Sequence, residues 1–174
     1  MSLFNKGNAS PKQLTKYKAG TTTGAEVSLT AVTGKRIYLE SLMGFADVAT
    51  IIEVRNDLTG TLATTNTDAT VTGTSTLFTT ELVVGDTIRI GVTNEILEVL
   101  SITSNTSLEA TTNSGFSQAT TASERIIGEY KLAAAGNIAI PVGGAFYSSV
   151  GRGLDVKILT STADCAITAS GYSL

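Results

Sequence analysis

The sequence predicts an all-β protein: an antiparallel, jelly-roll-like β-sandwich that carries an inserted small β-barrel-like domain. Charged residues make up only 16% of the 174 residues, and Thr and Ser supply much of the polar surface. Thr has high β-propensity, whereas Lys and Glu are depleted in strands. Short runs with a period of two recur along the chain between Gly and Asn turn signals, which is typical of sandwich strands.

Residues 1–24 are predicted to form an N-terminal arm. The first 20 residues contain four lysines and no acidic residue. Ser10 followed by Pro11 resembles a helix start, so we expect at most a short helix of about two turns here. The basic and apolar side chains of the arm suit an acidic partner surface. The candidate contact residues are Phe4, Lys6, Lys12, Leu14, Lys16, Tyr17 and Lys18.

The two flanks of the chain, 25–60 and 128–174, are predicted to form one sandwich. Neither is long enough to close a core alone, but together they are. Pro141 places the end of its strand at a sheet edge or outside the ladder, and 142–147 is expected to be an apolar loop. The predicted strands cover 26–32, 36–42, 49–55, 125–132, 137–141, 154–159 and 165–172.

The middle, 61–127, is predicted to be the inserted domain. It is rich in Thr and acidic, and it holds about five short strands in about 55 residues, which matches a small, partly open barrel. The polar stretches 60–66 and 117–123 are interpreted as the two connections to the sandwich. The predicted strands cover 69–73, 82–86, 87–90, 95–102 and 106–110.

The residue inventory argues against an enzyme. The chain has no His, which removes the commonest general base and zinc ligand, and its single Cys165 allows no intrachain disulfide. Glu95 and Glu98 would point to opposite faces of a strand, and Asp86 suits a turn. We therefore predict no catalytic residue, and we interpret these carboxylates as solvated surface groups.

Cofactors, metals and nucleic acids are not predicted either. Asn56–Asp57 and 66–68 could offer oxygen ligands to calcium, but their spacing matches no known loop and turn formation is the favoured interpretation. The predicted folded part is acidic and lacks interleaved basic and aromatic residues, so nucleic-acid binding is disfavoured. No window of 18 apolar residues predicts a transmembrane helix, and the N-terminus lacks the apolar core of a secretory signal.

Phe146 and Tyr147 are candidate subunit-interface residues. They lie beside two glycines in a predicted loop, where large apolar groups often mark an interface. The alternative is that both fold back onto the core. The sequence leaves these two interpretations open.

Two stretches carry a resemblance to phage structural proteins. Val71 to Ile90, together with Ile102 to Leu108, is similar to a small β-module that recurs in virion proteins of tailed phages. Gly34 to Leu39, Ala139 to Pro141 and Asp155 to Leu159 resemble the jelly-roll head decoration, or cement, proteins of such phages.

The resemblance implies a homotrimer on the outer capsid surface of a virion. It would bind the major capsid protein, stabilise the shell and present the insert outward. The resemblance implies no catalytic residue in this chain. The alternative function is a tail-fibre or baseplate tip module that binds host surface glycans. A depolymerase is a third, disfavoured class, because bases and aromatic sugar platforms are scarce.

Overall fold

The structure, a computed structural model, describes residues 12–20, 26–91, 93–133, 135–159 and 165–174. The described residues form antiparallel strands and one helical turn, and the predicted all-β sandwich class is confirmed. The elements are β1 (Lys12–Gly20), β2 (Glu26–Leu29), β3 (Ile37–Ala46), β4 (Thr50–Asp57), β5 (Thr61–Thr64), β6 (Thr70–Thr74), α1 (Phe78–Glu81), β7 (Thr87–Ile90), β8 (Glu95–Ser104), β9 (Ser107–Ala110), β10 (Gln118–Thr121), β11 (Ser123–Leu132), β12 (Gly136–Tyr147), β13 (Leu154–Ile158) and β14 (Cys165–Ser173).

The strands form two sheets. The smaller sheet has the order β1-β14-β3-β12, and the larger has the order β10-β5-β6-β9-β8-β7-β11-β4-β13-β2. Every strand pair in both sheets is antiparallel. Because alternate side chains along each strand point to opposite faces, one face of each sheet points into the sandwich and the other points away from it.

One hydrophobic core fills the space between the two sheets. Ile37, Leu39 and Leu42 contribute from β3, and Ile167 and Ala169 contribute from β14. The opposing layer comes from β2, β4 and β13 of the larger sheet. Its buried residues are Val27, Leu29, Ile52, Val54, Leu154, Val156 and Ile158. This packing of two antiparallel sheets face to face defines a β-sandwich.

A second hydrophobic core is formed by residues from the middle of the sequence, between Leu58 and Ala110. It shares no buried residue with the first core. Its buried members are Leu58, Leu62, Val71, Phe78, Leu82, Ile88, Ile90, Leu97, Val99, Leu108 and Ala110. Only Ala122 separates β10 from β11, and its carbonyl accepts a hydrogen bond from Gly91 N at 2.9 Å, just after β7. The sheet therefore curls around this core.

Several local predictions are wrong. Lys12–Gly20 is strand β1, paired along its whole length with β14, and not part of a short helix. The predicted loop 142–147 belongs to β12, and the expected strand over 82–86 is a turn that follows α1. The two Thr-rich connections hold strands β5 and β10, which pair with each other. In β1, β5 and β10, long-range ladder pairing outweighs the local signal. Within β12, residues 142–145 lie at the register shift between the Pro141–Ser41 and Phe146–Leu39 pairs.

Candidate interaction surface

The outward face of the smaller sheet carries no Asp, Glu, Lys or Arg side chain in β14 or β12, and only the bulge residue Glu40 in β3. It is built from cross-strand rows, such as Tyr147, Tyr38 and Tyr172, that the register aligns. We call this set the uncharged face. Its members are Tyr38, Ser41, Met43 and Phe45 of β3, Ala166, Thr168, Ser170 and Tyr172 of β14, and Asn137, Ala139, Pro141 and Tyr147 of β12. Glu40 falls where the register shifts between Leu39 and Ser41.

Large apolar groups on the uncharged face are exposed to solvent. Met43 is 52% exposed, Tyr147 is 46% exposed and Phe45 is 39% exposed. The Tyr38 and Tyr172 rings stack with centroids 5.3 Å apart, and Tyr147 lies 5.6 Å from Tyr38. Stacked aromatic rings on a sheet surface lose little conformational entropy when a partner covers them.

The two residues predicted as an interface pair separate in the structure. Phe146 packs against the sandwich core and meets Tyr130 edge-on, with centroids 6.0 Å apart. Its ring also lies over Gly128, where an added Cβ would come within 2.6 Å of the Phe146 Cζ atom. Tyr147 points outward beneath the Arg36 guanidinium, which lies 5.3 Å from the ring centroid. Of these two residues, only Tyr147 has a side chain that points to solvent, where a partner could contact it.

The arm residues divide in another way. Phe4 and Lys6 lie outside the described residues, whereas Lys12, Leu14, Lys16, Tyr17 and Lys18 belong to β1 at one edge of the smaller sheet. The register aligns Tyr17 with Thr168 of the uncharged face. The basic part of the arm is thus joined to the sandwich by main-chain pairing.

The outward face of the larger sheet has the opposite character. Glu53 of β4 is 1% exposed and accepts hydrogen bonds from Arg55 Nε at 2.7 Å and from Arg89 Nε at 3.0 Å. Arg89 lies on β7, two strands away, so this ion pair crosses β11. Arg55 Nη1 also donates to Glu124 of β11 at 2.7 Å. Charged side chains therefore tie the strands of the sandwich to those around the second core.

Four carboxylates gather beside this ion-pair network. Oxygens of Glu26, Glu124 and Asp155 lie within 4.8 Å of one another, and Asp57 contacts Asp155. Burial raises the pKa of Asp155 to about 6, with a hydrogen bond from Ser28 opposing the rise and Asp57 and Glu26 adding to it. Burial likewise raises the pKa of Glu124, against the attraction of Arg55.

Carboxylate oxygens of this kind can bind calcium, but calcium takes six to eight oxygen ligands. Here Glu26 pairs with Lys157 at 3.0 Å and Glu124 pairs with Arg55. These basic side chains therefore compensate part of the negative charge of the cluster.

We expect Asp155→Asn to stabilise the protein near neutral pH. A carboxyl whose folded pKa is raised binds its proton more tightly in the folded state, so its stabilising contribution is present at about pH 4 and is lost as pH rises through about 6. The variant should gain about 1–2 kcal/mol at pH 7.5, after allowance for partial solvent screening. Urea unfolding at pH 4 and pH 7.5 measures this difference.

The gain should vanish at pH 4, where Asp155 is protonated and resembles asparagine. Glu98→Gln is the control, since Glu98 is an exposed acid on β8. A gain for Asp155→Asn that is equal at both pH values would contradict the burial of its charge.

The other predicted polar residues stabilise loops. Glu95 accepts hydrogen bonds from Ser114 Oγ at 2.8 Å and Gly115 N at 2.6 Å, and Asp86 accepts from Val83 N at 2.8 Å. Asp68 accepts from Thr70 N at 3.0 Å, and this bond lowers the pKa of Asp68. Asn56 is fully buried, and its Oδ1 accepts from Ser149 N at 3.0 Å.

Sequence reasoning missed the charged network and the uncharged face. The alternation Glu53-Val54-Arg55 within a strand already places the two charged groups on one face. No local signal identifies Arg89 as their partner, because that contact depends on how β7 pairs with β11.

These features define the chain as an antiparallel β-sandwich protein in which one sheet presents a face with few charged side chains and the other carries a network of ion pairs. No family model matches the chain, and neither a curated protein nor a solved structure matches it. Among the described residues, no helix has the length and apolar character needed to cross a membrane.

Proposed function

We propose that this chain is a structural protein of a tailed-phage virion, a decoration protein that binds the major capsid protein on the outer capsid surface as a homotrimer. The functional part of the proposal rests on the resemblance of the sequence to such proteins. One observation supports its two-part architecture: the two hydrophobic cores share no buried residue. The first core draws on both ends of the described chain and the second on its middle. That division supports a jelly-roll-like body, 25–60 plus 128–174, with an inserted barrel-like module, 61–127.

A protein of this kind acts by shape and by surface burial. The body would lie on the shell and the acidic module would project into solvent. Glu81 of α1 links the two parts, because it accepts a hydrogen bond from Thr59 N at 2.8 Å and pairs with Arg152 Nε at 3.5 Å. Together with the Glu53–Arg89 pair, these contacts hold the module in a fixed position relative to the body.

The proposed capsid contact is the basic arm with Phe4, Lys6, Lys12, Leu14, Lys16, Tyr17 and Lys18. Capsid affinity should then depend on charge and fall as salt is raised. The triple variant Lys12→Ala, Lys16→Ala, Lys18→Ala should weaken binding to undecorated capsids at least about tenfold. Co-sedimentation across a concentration series gives the affinity and the stoichiometry.

Lys131→Ala is the matched control, since Lys131 is an exposed lysine on β11, outside the arm. Saturable binding by the wild type and the control, with loss in the triple variant, supports the proposal. Absence of saturable co-sedimentation counts against it. The tail-fibre alternative would be favoured if the protein bound host cells and if soluble surface polysaccharide prevented that binding.

A further inference from the structure

A cleft of about 360 Å³ opens between α1 and the end of β12. Leu77, just before α1, and Thr80 line it from one side, and Tyr147 and Val150 line it from the other. A cleft of this size accepts one side chain or a small ligand. We call it the arginine cleft, because Arg36 and Arg125 also line it.

Arg36 brings a positive charge that no carboxylate side chain balances. Its guanidinium lies 5.3 Å from the centroid of the Tyr147 ring, and its Nη1 donates a hydrogen bond to the Ser148 carbonyl at 3.1 Å. Within the described ranges, no Asp or Glu side chain forms an ion pair with Arg36. The contact with Tyr147 holds the guanidinium in place, while other N–H groups remain to donate to an acceptor.

Arg125 is only partly satisfied. Its Nη1 donates to the Glu81 carbonyl at 3.2 Å and to Asp86 Oδ2 at 3.4 Å, and both distances are long for a charged donor. Its Nε is buried and has no hydrogen-bond acceptor in the part of the chain that the structure describes. Native proteins leave few buried donors unpaired, so this guanidinium calls for an explanation.

Two more groups set the charge and the hydrogen-bond donors of the arginine cleft. Glu81 also lines it, but Arg152 pairs with this carboxylate at 3.5 Å and Thr59 N donates to it at 2.8 Å. Ser149 Oγ accepts a hydrogen bond from Asn56 Nδ2 at 3.1 Å, and no described residue accepts the hydroxyl hydrogen of Ser149. The cleft therefore keeps an excess of positive charge beside a hydroxyl group that is ready to donate.

Apolar side chains surround these donors. Leu77 is 41% exposed, Tyr147 is 46% exposed and Val150 is 55% exposed. In protein interfaces, such groups exclude water from a central Arg or Tyr that carries much of the binding energy. We propose that the arginine cleft binds an acidic side chain of a protein partner, an Asp or Glu with apolar residues on either side. This site is separate from the proposed function: its partner is defined by chemistry alone, and the lysines of β1 take no part in it.

The charge and the apolar rim favour this ligand over other anions. Asp86 offsets part of the charge of Arg125, so a singly charged carboxylate matches the cleft better than a phosphate group with nearly two charges. A saccharide would bring hydroxyl groups that need hydrogen-bond partners, and Leu77 and Val150 offer none. A carboxylate also fits the planar fork of a guanidinium, which donates two parallel hydrogen bonds.

The test is an NMR titration of the full chain with the peptide acetyl-Ala-Leu-Glu-Leu-Ala-amide. Peptide concentrations up to about 10 mM detect a dissociation constant of about 1 mM. We expect saturable binding that shifts the side-chain Nε–Hε signals of Arg36 and Arg125. The same peptide with Gln in place of Glu should bind at least about tenfold more weakly, because it lacks the charge-assisted hydrogen bonds.

Arg36→Gln should weaken binding of the Glu peptide at least about tenfold, since it removes the unbalanced charge. Glutamine can still donate to the Ser148 carbonyl, so the fold should be kept. Arg125→Lys retains the charge but loses the fork, and it should also weaken binding. The matched control is Lys131→Gln, which removes one positive charge from an exposed position on β11, the strand of Arg125. The control should bind as the wild type does.

Absence of saturable binding of the Glu peptide overturns the proposal, as does equal binding of the Glu and Gln peptides. Equal losses in Arg36→Gln and Lys131→Gln would show only a general effect of charge, and would reject the site. Glucuronate and inorganic phosphate probe the other ligand classes. If either binds the wild type more tightly than the Glu peptide, the assignment to a protein partner is wrong.

Discussion

Replacing Glu53 with alanine is expected to lower the free energy of unfolding by about 3–5 kcal/mol. Glu53 accepts hydrogen bonds from Arg55 and Arg89, and the side chains of Glu53, Arg55 and Arg89 are 1%, 2% and 7% exposed. Without the carboxylate, the buried Arg89 guanidinium loses its counter-charge and the buried Arg55 guanidinium keeps only Glu124, and water cannot fully replace the lost charge. The position of the urea unfolding transition measures the loss.

Glu53→Gln separates charge from packing in this experiment, because glutamine keeps the shape and can still accept a hydrogen bond. It should lose nearly as much stability as Glu53→Ala if charge is the cause. The control is Glu129→Gln in the exposed Glu129–Lys131 pair, where the lysine is 76% exposed. Exposed pairs contribute about 1 kcal/mol or less. Equal losses at Glu53 and Glu129 would contradict the role of burial.

Replacing Phe78 with alanine is expected to cost about 3–5 kcal/mol, with the loss confined to the middle of the chain. Phe78 of α1 is fully buried in the second core. Removing its ring leaves a cavity that the short helix cannot close. Because the second core shares no buried residue with the first, it should open by itself. Native-state hydrogen exchange locates the loss.

Protection should fall for amides of β6, β8 and β9, while those of β3 and β14 stay protected. The matched variant Leu39→Ala removes a fully buried side chain from the first core and should show the reverse pattern. Uniform loss of protection across all these strands in both variants would show one cooperative unit. The proposal of an inserted module would then be wrong.

Much of the sandwich was predictable because its strands are half-buried. In β2 and β14 the alternation along the sequence follows the alternation of buried and less buried positions. Such a pattern identifies both the strand and its inward residues. Val27, Leu29, Val156 and Ile167 could therefore be assigned to one core from the sequence alone.

Strands without that pattern were missed. β1 pairs with β14 across more than 140 residues of sequence, and nothing near Ser10 signals that partner. The Thr-rich β5 and β10 looked like connections because each is short, and they become strands by pairing with each other. The separation of Phe146 from Tyr147 also required the structure, since it depends on where Gly128 lies in the neighbouring sheet.

The sequence by itself determined the fold class, the inward residues of the main strands and the lack of histidine chemistry. These depend on local periodicity and on composition, which need no knowledge of partners. Two features were decided by the tertiary structure alone. Glu53 pairs with Arg89 across β11, and residues of three separate strands form the uncharged face. Both arise from pairing between distant strands, where register, rather than local propensity, sets which side chains meet.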